Sequence, residues 1–172
     1  MVTIRVESSS DVQAREALLN RAFGPKRLRK TSEKLRSGRM PAFAFSAVDA
    51  EGRLIGTVRL WNIIAGSAGD ALLLGPLAVD ADHKCQGIGT DLMNTAIAAA
   101  AEAGHRAIIL VGDHPYYQRF GFEQDHTLKL QLPGPVERER FLGLELVSDA
   151  LASAEGRIAA SGVKLPRHAV AA

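Results

Sequence analysis

The sequence has one cysteine, so no internal disulfide can staple the fold, and a reducing cytoplasmic setting is the expectation. No apolar run is long enough to span a bilayer. The opening MVTIRVESSSD lacks the charged start and apolar core of a secretory leader, so none is expected. Charge of one sign is also scarce: the net charge is +2, too small to argue for nucleic acid. There is no internal repeat, no linker, and no G-K-[ST] ending for a phosphate loop of the kinase type. What is present is the material of a folded core: 172 residues, 47% of them hydrophobic and 23% charged, which suits one domain.

The informative stretch is Leu72 to Leu92, LLLGPLAVDADHKCQGIGTDL. Leu72, Leu73, Leu74, Leu77, Ala78 and Val79 read as a strand covered on both faces. Gly75-Pro76 interrupts it, and a central strand carrying proline must bulge or part from its neighbour. Gln86-Gly87-Ile88-Gly89-Thr90 then opens a helix. Glycines admit a ligand close to the backbone, and the unpaired N–H groups of a helix start face it, which makes a phosphate or pyrophosphate site. The dinucleotide fingerprint fits poorly, because Leu92 stands where its last glycine belongs.

The pattern Lys84-Cys85-Gln86-Gly87-Ile88-Gly89 resembles the acetyl-coenzyme A (acetyl-CoA) binding motif of the GNAT superfamily of N-acetyltransferases, Gln/Arg-x-x-Gly-x-Gly/Ala. Lys84 departs from it by replacing Gln or Arg, keeping the charge but losing the planar fork. Tyr117-Gln118-Arg119-Phe120-Gly121-Phe122 resembles a second family element, Tyr-x-x-x-Gly-Phe. LGPLAV, GHRAIILVGD and YYQRFGF are similar to the bacterial YhbS-like branch, and the likeness runs roughly from Ile4 to Leu132. It implies an α/β domain with a central, mostly antiparallel sheet splayed at one parallel strand pair and helices on both faces. Residues 1–150 would form that domain and residues 151–172 an extension packed on it or trailing from it.

The resemblance also implies a site. Leu77, Ala78 and Val79 would pair with the pantetheine arm, and Lys84, Cys85, Gln86, Gly87, Ile88, Gly89 and Thr90 would hold the pyrophosphate. The Val79 N–H would polarise the thioester carbonyl, and Tyr117 would protonate the leaving thiolate; Tyr116 reads as core. For the general base, Asp113, His114 and a water relay all stay open, Asp113 being also a natural helix cap. Cys85 reads as loop structure. The expected reaction is direct acetyl transfer from acetyl-CoA, without a metal, to a primary amine of a small molecule, peptide or protein. Transfer of a larger acyl group and a non-catalytic coenzyme A sensor are the rivals. A homodimer through exposed strand edges stays open.

The rest of the chain reads as further strands and helices. Val2 to Glu7 is a strand, Val12 to Phe23 a helix stopped by Gly24-Pro25, and Phe43 to Asp49 and Leu54 to Asn62 two strands. Arg59 and Trp61 share a face that is either a cleft wall or half-buried surface. Ile63 to Asp70 is a loop or hairpin tip. Gly87 to Ala103 is a helix with Ile88, Leu92, Ala96, Ala99 and Ala103 as its apolar stripe, followed by the strand Arg106 to Val111. Strands are expected at Phe122 to Leu132 and Phe141 to Leu146, and an edge loop and loose end from Ala150 to Ala172. Lys26 to Arg39 holds seven basic residues against one Glu; it is a solvated helix face, a basic lid over an acidic ligand, or a nucleic-acid surface.

Overall fold

The structure, a computed structural model, describes residues 1–166. Its strands are β1 (Thr3–Val6), β2 (Phe43–Val48), β3 (Leu54–Ala65), β4 (Asp70–Val79), β5 (Ala107–Val111), β6 (Lys129–Gln131), β7 (Phe141–Glu145) and β8 (Glu155–Ala160). The α-helices are α1 (Val12–Phe23), α2 (Glu33–Arg36), α3 (Ile88–Glu102) and α4 (His114–Tyr117). Among the described residues the strands form one eight-stranded sheet in the order β1-β2-β3-β4-β5-β7, with β8 beside the far end of β3 and β6 beside β8. Most pairings are antiparallel; β4–β5 and β6–β8 are parallel. No helix among the described residues is long and apolar enough to cross a membrane.

One face of the sheet carries α3. Ile88, Leu92, Met93, Ala96 and Ala100 are its buried residues and pack with Val58, Leu60, Leu72, Leu74, Ile108 and Phe122. The expected stripe ended on Ala99 and Ala103; Ala99 is half-buried and Ala103 forms the exposed C-cap. The opposite face buries Trp61, Ile63, Leu73, Ile109, Phe141 and Ile158, and α1 adds Leu18 and Leu19 against Ala78.

The break at Gly75–Pro76 sets the alternation. Leu60 opposes Leu74 and Val58 opposes Leu77, so two residues of β4 stand across from Arg59 alone. The period of two therefore slips by one. Leu72 and Leu74 face α3 before the bulge, and Leu77 and Val79 face it after.

Three expectations change. Ile63 to Ala65 continue β3 rather than starting a loop, because β4 and β8 cover them on both edges and Ile63 is fully buried. Only Lys129–Gln131 of the expected Phe122 to Leu132 strand is one; Gln124–Thr127 form a 3-10 turn held by the Thr127 hydroxyl, which donates to the Phe141 carbonyl at 2.6 Å. Glu155–Ala160 is a strand, not an edge loop: Ile158 is buried, and Gly66, at φ +52, lets the Glu155 carbonyl approach where a Cβ would collide. The last six residues of the expected extension lie outside those described.

Asp11 ties β1, β2 and α1 together. Its carboxylate accepts from Arg5 at 2.7 and 2.9 Å, from the Ser8 N–H at 2.8 Å and from the Ser46 hydroxyl at 2.9 Å. The Arg5 bonds, helped by Ser8 and Ser46 and opposed by burial, hold its pKa well below the usual carboxylate range. Such a group contributes stability above about pH 4, where the unfolded carboxyl ionises, and that contribution is lost as pH falls toward the folded value. Asp11→Asn is expected to lower stability at pH 7 by on the order of 2 kcal/mol and to flatten the acid limb of a stability–pH curve measured by urea unfolding.

Candidate active site

The site begins where β4 and β5 part. Only Leu72–Ile108 and Leu73–Ile109 are paired between them, while β5 runs on beside β7 as far as Val111–Phe141. The Trp61 indole N–H donates to the Gly75 carbonyl at 2.6 Å and pins the bulge from β3. Beyond it the Asp80 N–H bonds to the Ile55 carbonyl at 2.8 Å. Strand alternation then turns the backbone polar groups of Ala78 toward β3 and those of Leu77 and Val79 toward the open side.

The chain then enters the glycine loop. The Asp80 carboxylate accepts from the Asp82 N–H at 3.0 Å and fixes the turn Ala81–His83. Cys85 and Gly87 both have positive φ, 64° and 80°, and reverse the backbone into α3. The first helical bond runs from the Asp91 N–H to the Gly87 carbonyl at 2.9 Å, so the N–H groups of Gly87 to Thr90 lie ahead of it. Lys84 and Arg119 line the same cleft as this helix start. Gly87 has open space where a side chain would stand, while a Cβ on Gly89 would meet the Tyr116 hydroxyl at 2.8 Å.

A cleft of about 600 Å³ is lined here by Leu77, Ala78, Val79, Lys84, Cys85, Gly87, Ile88, Gly89 and Thr90, joined by Tyr116 and Arg119. Gln86 is exposed beside it. Arg119 escaped the sequence reading: it stacks 4.4 Å from the centre of the Tyr116 ring and donates to the Thr90 hydroxyl at 3.1 Å. Its signal was its place in YYQRFGF, two residues after Tyr117 on the same turn.

A second cleft, of about 830 Å³, adjoins the first and shares Phe23, Leu77, Lys84 and Tyr116 with it. Tyr117 and Asp113 line this one. Tyr117 packs edge-on to Tyr116 and Phe122, with ring centres at 4.9 and 6.1 Å. Burial first, then the neighbouring Tyr116 and Asp113, against the pull of Arg140, push its hydroxyl up to about 12. Tyr116, expected in the core, instead lines both clefts. His114 turns to Glu123, with Nε2 and Oε2 3.0 Å apart. Arg59 and Trp61 are not cleft residues: Arg59 donates to Glu7 at 2.7 Å and Trp61 is buried.

The basic stretch roofs the second cleft. Thr31 donates to the Pro135 carbonyl at 2.6 Å and Lys34 to the Pro133 carbonyl at 3.0 Å, which ties the stretch across the mouth. Arg27, Arg29, Lys30 and Arg36 thereby line the cleft with Glu33 of the same stretch; Glu137 and Arg140, which the sequence reading did not single out, line it too.

A mixed sheet that parts at a parallel pair, beside a glycine-rich helix start, defines an acyltransferase of the GNAT type. The sequence model of the Acetyltransferase (GNAT) family matches residues 13–122, and the chain belongs to that family. The uncharacterized N-acetyltransferase YhbS of Escherichia coli (strain K12) is 32% identical over 158 residues, spanning 90% of this chain and 93% of YhbS. A crystal structure of E. coli YhbS in complex with CoA superposes with a TM-score of 0.80 at 30% identity, covering 93% of this chain and 89% of that one. A GNAT family acetyltransferase from Brucella melitensis in complex with acetyl-CoA shares the fold at a TM-score of 0.69 and 24% identity, covering 94% and 96%.

Proposed function

We infer that this chain transfers an acetyl group from acetyl-CoA directly to a primary amine of a small molecule, peptide or protein. The observation that carries this reading is the continuity of the two clefts: the parted edge of β4 leads from the glycine loop to Tyr117. The family membership and the ligands of the two related crystal structures support it.

In this reading the N–H groups of Cys85 to Thr90 receive the pyrophosphate, with the charges of Lys84 and Arg119 beside them. Leu77 and Val79 offer their outward backbone groups to the extended pantetheine arm, and the Val79 N–H meets the charge that develops on the thioester oxygen. The amine nitrogen bonds to the carbonyl carbon, the carbon–sulfur bond breaks, and the acetyl group leaves on nitrogen. The amine's surplus proton passes to Asp113, the departing sulfur takes the proton of Tyr117, and the proton on Asp113 then returns to the tyrosinate through solvent. With its pKa near 12 the hydroxyl starts each cycle protonated across the working range.

Calorimetry with acetyl-CoA, paired with a thiol-release assay over an amine panel, tests this. Expected are one-to-one binding and thiol release that depends on the amine. Binding without release against any amine would make the chain a sensor, and absence of binding would remove the reading altogether.

A further inference from the structure

We propose that the acceptor amine carries an anionic group, a carboxylate or a phosphate, which Arg36 and Arg140 receive inside the larger cleft with Lys30 at its mouth. This rests on reading that cleft as the acceptor side of the transferase.

The charge balance of the cleft points this way. Arg27, Arg29, Lys30, Arg36, Lys84 and Arg140 line it, against the carboxylates of Glu33, Asp113 and Glu137. Not all of those cations are free to bind. Arg27 is engaged with Glu16 at 3.1 Å and Asn20 at 2.8 Å, and Lys84 stands at the junction with the glycine loop. Lys30, Arg36 and Arg140 line the larger cleft only, so they lie away from the loop that reads as the pyrophosphate site.

Arg36 is the centre of the group. Its side chain is only 10% exposed, and its Nε donates to Glu33 at 3.2 Å. Nη1 lies over the strand break, 3.2 Å from where a Cβ on Gly75 would stand. Among the described residues its two terminal nitrogens have no hydrogen-bond partner, which leaves the planar edge that grips carboxylates and phosphates in pairs. Arg140 is half-buried, and its charge reaches both Lys30 and the Tyr117 hydroxyl. Lys30 lies 4.9 Å from the centre of the Phe23 ring, and burial and then the charges of Arg140 and Arg36 lower its pKa, as expected where cations outnumber carboxylates.

Holding like charges together in a half-dry cleft is unfavourable, and an anion relieves it. The same cleft places Asp113 on the β5 side. An acceptor with an ammonium at one end and an anion at the other therefore finds opposite charge at both ends. A polyamine brings its second ammonium against Arg36 and Arg140.

The test uses the full chain with β-alanine, O-phosphoethanolamine, ethanolamine and putrescine as acceptors in thiol release. The expected result is that the anionic pair exceeds the other two in kcat/KM by about tenfold or more, the worth of a charged hydrogen bond. Arg36→Met and, separately, Arg140→Met should raise KM for the anionic pair about tenfold, with acetyl-CoA affinity by calorimetry unchanged. Arg140→Met keeps the test decisive if loss of the Arg36–Glu33 pair impairs folding. Whether β-alanine or O-phosphoethanolamine leads separates carboxylate from phosphate. A preference for ethanolamine or putrescine, or an anionic preference that survives both variants, overturns the proposal. So does loss of acetyl-CoA affinity in the variants, which would make these cations part of the coenzyme site. If no amine in the panel is acetylated, titration with inorganic phosphate and acetate decides: no saturable binding sensitive to Arg140→Met overturns it. Failure of acetyl-CoA itself to bind is a different result, one that removes the transferase reading and leaves the anion titration to stand alone.

Discussion

Replacing Tyr117 by phenylalanine is expected to slow acetyl transfer by about a hundredfold or more, the scale of a lost general acid, while acetyl-CoA still binds with the affinity of the parent. The two effects separate because the ring and the hydroxyl have separate tasks. The ring packs against Phe122 and Tyr116, and phenylalanine keeps that packing. The hydroxyl alone faces the leaving sulfur in the proposed reaction. A thiolate expelled without a proton is a poorer leaving group, so the deficit should fall on kcat. It should shrink for acyl donors whose thiol is more acidic, a comparison that separates loss of an acid from general distortion. Because the hydroxyl stays protonated up to about 12, the parent's rate should show no alkaline fall from this group at ordinary pH. Full turnover by the variant would withdraw the role from Tyr117 and pass attention to Tyr116, whose hydroxyl stands at the glycine loop.

Phe122→Ala is expected to cost about 3–5 kcal/mol of stability, the range for deleting a large buried aromatic. Phe122 is completely buried in the core beneath α3 and lies edge-on to Tyr117 at 6.1 Å. Removing it leaves a cavity that the close-packed sheet cannot refill. In urea unfolding the midpoint should fall with the slope unchanged, since the surface exposed on unfolding is nearly the same. The variant should also lose activity beyond its loss of folded protein, because the ring of Tyr117 rests on the vacated space. Phe122→Leu, which fills most of the volume, should recover most of the stability and less of the rate. A midpoint that barely moves would show that the core collapses around the gap.

The features that short-range chemistry dictates were readable directly. Gly75-Pro76 cannot continue a regular ladder, and the bulge is there. Gly87 takes the left-handed backbone that a loop turning into a helix needs, and the helix follows. What escaped depends on distant partners. Glu155–Ala160 contains glycine and alanines with no alternation to mark a strand; its pairing with Ile63 to Ala65 follows from a gap on the sheet and a missing Cβ at Gly66. Arg140 enters the larger cleft because β7 lies beside β5, an adjacency that no local pattern encodes. The orientation of Lys26 to Arg39 was undecidable for the same reason, being set by bonds from Thr31 and Lys34 to a turn a hundred residues away in round terms. Tyr116 and Tyr117 show the limit most closely. They are neighbours on one short helix, and which of them packs on the core and which reaches the glycine loop depends on the ring of Phe122 below and the guanidinium of Arg119 above.

The seam between β4 and β5 has a consequence for the reaction cycle. The two halves of the sheet are joined there at two rungs only. In the proposed reaction the pantetheine arm would lie along the free edge of β4 and finish the ladder, so releasing the spent thiol would mean giving up backbone bonds that the chain does not make for itself.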